Sequence, residues 1–125
     1  MDSTVLIDHL RGRGEARGFL HGLATDGHTL GVCCVNVAEL YAGCLPSELA
    51  NADKLIKGVA YYEASVAAAE RAGKTRYQLA RQGITVATSD ALIGMIALAE
   101  GAVVITRNAK DFQAIGIPLL SPPWS

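Results

Sequence analysis

Short β-branched runs alternate along this chain with longer stretches in which apolar residues return every three or four positions. That alternation predicts an α/β fold with a mainly parallel central sheet. The short runs predict strands at 30–35, around 59–61, at 102–106 and near 118–120. The longer ones predict helices at 4–10, 15–24, 36–44, 47–57, 63–82 and 89–100, with a short one after Ala109. Gly83 and Gly101 follow two of these helices and read as C-terminal stops. Leu92, Ile93, Ile96 and Ala99 share one helical face, which packs that helix on the sheet with Asp90 in its first turn. A length of 125 residues fits one domain, 1–125. Its start is unusual: only Met1 precedes Asp2, where a strand ending in an acid normally carries several apolar residues. Either the first strand is vestigial, or it is truncated by residues missing upstream. The weight of a central strand in such a sheet favours truncation, and the alternative places an ammonium beside the pocket.

Composition narrows the function classes. Eleven basic residues stand against twelve acidic ones, a formal charge of −1, so the chain does not coat nucleic acid by bulk electrostatics. Any nucleic acid is gripped locally, and Arg11, Arg13 and Arg17, or Arg71, Lys74, Arg76 and Arg81, offer patches, although each cluster alone reads better as a solvated helix face. Half the residues are hydrophobic, yet no run approaches the roughly 18 apolar residues of a membrane span. With no export signal visible, the expectation is a cytoplasmic protein. Cys33, Cys34 and Cys44 lack paired metal-ligand spacing and are expected to be reduced and mostly buried.

Three carboxylates stand in similar settings: Asp2 in Asp2-Ser3-Thr4-Val5-Leu6-Ile7-Asp8, Glu39 in Val37-Ala38-Glu39-Leu40, and Asp90 in Ser89-Asp90-Ala91-Leu92. An acid against apolar sequence resists ionisation unless something positive offsets the cost. Acids gathered at the carboxyl ends of parallel strands therefore point to a hard cation, Mg²⁺ or Mn²⁺. Each also has a plainer reading. Asn36 and Glu39 fit a capping box, Asp90 favours its helix dipole, and Asp2 is a terminal acid. Asp8 reads as solvated or bound to a neighbouring Arg. After the 102–105 run, Thr106 and Asn108 can bind water or orient an acid, and Arg107 can meet a phosphate. Asp111 either joins the metal shell or caps a short helix over Phe112.

Taken in order and spacing, these segments resemble the PIN-domain nucleases, particularly the VapC toxins of bacterial toxin–antitoxin pairs. Asp2 to Asp8 resembles the family's opening segment, Glu39-Leu40-Tyr41-Ala42-Gly43 its Glu-Leu-x-x-Gly helix, Asp90-Ala91-Leu92-Ile93 its third acid, and Thr106-Arg107-Asn108-Ala109-Lys110-Asp111-Phe112 its closing motif. Leu79 to Gly83 and the terminal Pro122-Pro123-Trp124-Ser125 are also similar. The resemblance implies a three-layer α/β/α sandwich, a homodimer, and endonucleolytic cleavage of RNA dependent on Mg²⁺ or Mn²⁺. It also implies a cognate VapB-type antitoxin that covers the pocket. Asp2, Glu39 and Asp90 would be the metal ligands, with Asp111 or a water held by Asn108 replacing a fourth acid. Ser3 or Thr4 would orient Asp2 or the attacked phosphate. Two other readings compete: a decayed PIN-like protein that binds RNA or antitoxin without cutting, and a phosphorylation-receiver domain. A receiver needs its hydroxyl and Lys after different strands, whereas Thr106 and Lys110 follow one.

Overall fold

The computed structural model describes residues 1–12 and 14–124, without the side chains of Ser3 and Thr4. The expected roles of Ser3, Thr4, Arg13 and Ser125 fall outside those described parts. Helices α1 (Ser3–Leu10) and α2 (Gly14–Thr25) lead to strand β1 (Gly31–Cys33) and helix α3 (Cys34–Ala42). A 3₁₀ turn at Pro46–Glu48, helix α4 (Leu49–Lys57), strand β2 (Ala60–Tyr62) and helix α5 (Val66–Arg81) follow. The chain closes with α6 (Thr88–Ala99), β3 (Val104–Ile105), α7 (Ala109–Ile115) and β4 (Leu119–Leu120).

All strand pairing is parallel, as the alternating pattern requires. β1 pairs with β2 in the register Gly31 to Ala60, and β3 with β4 in the register Val104 to Leu119. Met1 and Asp2 join the two pairs. The Met1 ammonium donates to Gly31 O at 2.6 Å, and the Asp2 N–H donates to Ile105 O at 2.8 Å. Burial lowers the pKa of that ammonium against the opposing pull of nearby Asp2. Asp2 thereby sits between β1 and β3, at the mouth of the sheet.

Successive strand residues face opposite layers. Val32 packs with Leu6, Leu40 and Ala52, whereas its neighbour Cys33 joins Ala68, Ala72, Ile93 and Phe112. Likewise Val104 faces Ile96 and Ile117, while Ile105 meets Val5, Leu20 and Trp124. Helix layers therefore cover both faces, the expected sandwich.

Helix α6 is the most enclosed. Ala91, Ile93, Gly94, Met95 and Ile96 are all buried, so apolar residues surround more of the helix than the one face the periodicity suggested, and Ala99 is exposed. Each of Ile93, Met95 and Ile96 contributes about 2 kcal/mol by leaving water. Gly94 allows the close approach: a Cβ there would lie 3.3 Å from Ile117 Cγ1. Gly83 and Gly101 have φ of +79° and +65°, the left-handed geometry that ends α5 and α6.

The strands are shorter than expected, β3 spanning only Val104–Ile105, and two helix starts differ from expectation for local reasons. Helix α3 grows directly out of β1 with no loop, so it begins at Cys34 rather than Asn36. The Asn36 carboxamide then reaches back from the third helical position and accepts the Cys33 N–H at 2.9 Å. Helix α5 starts at Val66 because Ser65 caps it, accepting the Ala68 N–H at 3.0 Å. Of the three free cysteines, Cys33 is buried but Cys34, at the first turn of α3, is exposed.

Candidate active site

Four acids from four parts of the chain meet at the carboxyl end of the sheet. Asp2 is only 4% exposed. Its Oδ2 accepts the Thr106 hydroxyl at 2.7 Å, and the Thr106 oxygen in turn accepts the Asn108 N–H at 2.9 Å. Thr106 is fully buried just beyond β3, so its hydroxyl is a fixed relay between the sheet and the following loop. Asn108 continues the chain of contacts: its Nδ2 donates to Asp90 Oδ2 at 3.4 Å, a weak bond.

Asp90 lies in the first turn of α6, where the helix N-terminus favours a negative charge. The surroundings nonetheless win, and its pKa is raised to about 7. Burial is the largest cause, followed by a hydrogen bond with Asp111 and by the charges of Asp2, Asp111 and Glu39. Two carboxyls can share that hydrogen bond only if one holds a proton. Asp111 is in the first turn of α7, above the fully buried Phe112. It lies there without capping the short helix, and joins the acids.

Glu39 departs from expectation. It lies in the second turn of α3 because the helix starts early, and the capping box is closed by Asn36 without it. Glu39 is exposed, at the rim of the cluster, within electrostatic reach of Asp90 through the packing of α3 on α6. The capping explanation for this acid is gone.

Among the described residues, no three acids, thiols or imidazoles are already drawn tightly around one point. The donor chemistry still fits a hard divalent cation: carboxylate oxygens only, crowded enough to retain a proton near neutrality, with the Asn108 carboxamide beside them. A cation would replace that proton and relieve the repulsion.

Arg107, expected to meet a phosphate, bonds through Nε to Asp8 Oδ2 at 2.8 Å. Asp8 is buried and also accepts the Trp124 indole N–H at 2.7 Å. Sequence reasoning left Asp8 solvated or bound to a neighbouring Arg; its partner is instead the distant Arg107, and the partnership with Trp124 carried no local signal because 116 positions separate the two. The basic patches disperse into other contacts. Lys74 pairs with Glu70, Arg76 donates to Val86 O, Arg81 donates to Tyr77 Oη, and Arg11 pairs with Glu48. Of the four tyrosines, Tyr61 and Tyr77 are exposed, whereas Tyr41 and Tyr62 are half-buried.

The comparisons agree with this arrangement of sheet and helices. The PIN domain family matches residues 1–118. This chain is a PIN-domain protein. Ribonuclease VapC19 of Mycobacterium tuberculosis is 30% identical to it over 126 residues, covering 99% of this chain and 98% of that protein. The tRNA(fMet)-specific endonuclease VapC of Shigella flexneri is 29% identical over 99 residues, covering 75% of this chain and 74% of that one. Among solved folds, VapBC2 of Rickettsia felis, bound to a DNA fragment from its promoter, superposes with a TM-score of 0.85 at 21% identity, over 99% of this chain and 96% of the matched one. DNA-bound VapBC of Salmonella typhimurium gives 0.82 at 24% identity, over 96% and 94%. The chain thus shares its fold with these solved structures and nearly its full span with ribonuclease VapC19.

Proposed function

We propose that this PIN-domain protein is a VapC-type endoribonuclease, the toxin of a toxin–antitoxin pair, hydrolysing RNA phosphodiester bonds with the help of Mg²⁺ or Mn²⁺. The observation that carries the reading is the convergence of Asp2, Glu39, Asp90 and Asp111 at the mouth of the sheet, with Asp90 raised to about 7 by its neighbours. Strongly perturbed acids in a shared site are the usual mark of a functional centre. Similarity over nearly the whole chain to one ribonuclease named VapC, and over three quarters of it to an endonuclease of that name, supports the substrate class.

Asp2, Glu39 and Asp90 would hold the cation, with Asp111 beside them. When bound, it would offset the negative charge of the acids and of the RNA phosphate and would activate water for hydrolysis. The chain's own residues prepare that event. Thr106 fixes the orientation of Asp2, Asn108 steadies Asp90, and Asp90, hydrogen-bonded with Asp111, holds a proton that must leave before the pocket can accept a cation. Arg107 supplies positive charge at the edge of the pocket, where an RNA phosphate would lie. Few aromatics are exposed, so RNA shape and a few base contacts set specificity rather than a stacking platform. A VapB-type antitoxin partner and a homodimer belong to the same reading, supported by the VapBC complexes among the structural neighbours. A cytoplasmic location belongs to the same reading.

The test is cleavage of total bacterial RNA by the purified, antitoxin-free chain with Mg²⁺, Mn²⁺ or EDTA, beside an Asp90→Asn variant. Discrete metal-dependent fragments missing from the variant support the proposal. A folded chain that cuts nothing with either metal points instead to a relative that binds without cutting.

A further inference from the structure

Three consecutive residues after β3 take three different partners. Thr106 binds Asp2, Asn108 binds Asp90, and Arg107 between them turns to Asp8. The outer two therefore anchor the loop to the acid pocket. This holds the Arg107 backbone at the pocket's rim, while its side chain is set by Asp8.

Asp8 is an expensive residue to bury. At 9% exposure its carboxylate needs a compensating partner, and the Arg107 Nε supplies one at 2.8 Å. A second donor reaches the same oxygen: the Trp124 indole N–H, at 2.7 Å, from the far end of the chain. Trp124 is itself clamped among Val5, Ala16, Leu20 and Ile105, edge-on to Phe19 at 5.5 Å. Its N–H thus comes from a rigid mount. A carboxylate fixed by such a donor presents its remaining lone pairs in a defined direction, and that direction sets the guanidinium plane.

The Arg107 guanidinium is engaged through Nε, and the side chain is one-third exposed. A planar fork pinned at one nitrogen and partly open to solvent suits a phosphate oxygen pair.

We infer that Asp8 and Trp124 are positioning residues that aim the Arg107 guanidinium at an RNA phosphate beside the acid pocket. The inference rests on the nuclease reading above and adds two residues to it. It has a consequence opposite to charge counting. Removing an acid near an RNA surface ordinarily tightens RNA binding, whereas removing this one releases Arg107 and weakens it.

The test uses the full chain carrying Asp90→Asn, so that RNA is held but not cut, and a labelled fragment of an RNA that the unsubstituted chain cleaves. Affinity is followed by fluorescence anisotropy across a range of KCl concentrations. Arg107→Gln is expected to weaken binding about tenfold and to flatten the salt dependence by about 0.7 in log–log slope, one phosphate contact on a single strand. Asp8→Asn is expected to weaken binding in the same direction despite the added net positive charge. Trp124→Phe, which keeps a ring against Phe19, is expected to give a smaller loss. Melting temperatures are recorded for each, and Trp124→Phe decides by the same slope if Asp8→Asn fails to fold. An unchanged slope in Arg107→Gln, or tighter binding by Asp8→Asn, would overturn the inference while leaving the nuclease reading intact. A parent chain that neither binds nor cuts RNA would overturn that reading and this inference together.

Discussion

Asp8 and Asp90 are the same residue type, both set into apolar helices, yet the molecule treats them oppositely. Asp8 faces an arginine and an indole N–H, whereas Asp90 faces three other acids and is raised to about 7. Burial alone therefore does not distinguish a structural carboxylate from a functional one. The charge that faces each does, because a partner of opposite sign settles an acid and partners of like sign leave it poised to exchange its proton for a cation.

Exchanging the roles of the two sites experimentally would break this comparison if it is wrong. The largest effect is expected from Asp90→Asn, which should lower RNA cleavage by at least about a hundredfold, more than loss of an outer partner typically does. The same variant should melt no lower than the parent in EDTA at pH 8, because it removes a repelled charge. Asp8→Ala should do the reverse, costing about 2 kcal/mol in chemical denaturation by stranding Arg107 and Trp124, with metal binding retained.

Thr106→Val keeps the shape but deletes the hydroxyl between Asp2 and the Asn108 N–H. A cost of about 1 kcal/mol is expected, together with a ten- to roughly hundredfold weaker response to Mn²⁺ as Asp2 loses its orientation.

pH sharpens the contrast further. The folded pKa of Asp90 is above its unfolded value, so the folded state binds the extra proton and gains stability at low pH. That gain is complete below the ordinary carboxylate range, is lost as pH rises toward about 7, and changes no further above it. In EDTA, the part of the melting temperature owed to Asp90 should fall across that window and flatten in Asp90→Asn. Added Mn²⁺ should restore stability on the alkaline side. The smallest effect belongs to the exposed pair Lys74 and Glu70 on α5, where Lys74→Gln should move stability by less than about 0.5 kcal/mol.

Much of this was legible in the sequence because it is local. Strand runs such as 102–106, the stops at Gly83 and Gly101, and Asp90 opening an apolar helix all follow from neighbours within a few positions. Glu39 was misplaced by one turn because hydrophobic pattern does not reveal that a strand passes into a helix without a loop at Cys33–Cys34. The Thr106 to Asp2 bond was readable only as a possibility, since the two lie 104 positions apart. The Asp8, Arg107 and Trp124 contacts were unreadable for the same reason: tertiary packing chose the partners, and no periodicity encodes them.

The most direct measurement is calorimetric titration of Mn²⁺ into the metal-free chain at pH 6 and pH 8, in buffers of different ionisation enthalpy. A site in which a cation replaces the Asp90 proton should bind several-fold more tightly at pH 8 and release about one proton at pH 6. Asp90→Asn should lose most of the affinity and the pH dependence with it. Binding with equal affinity at both pH values and no proton release, or no binding at pH 8, would contradict the account.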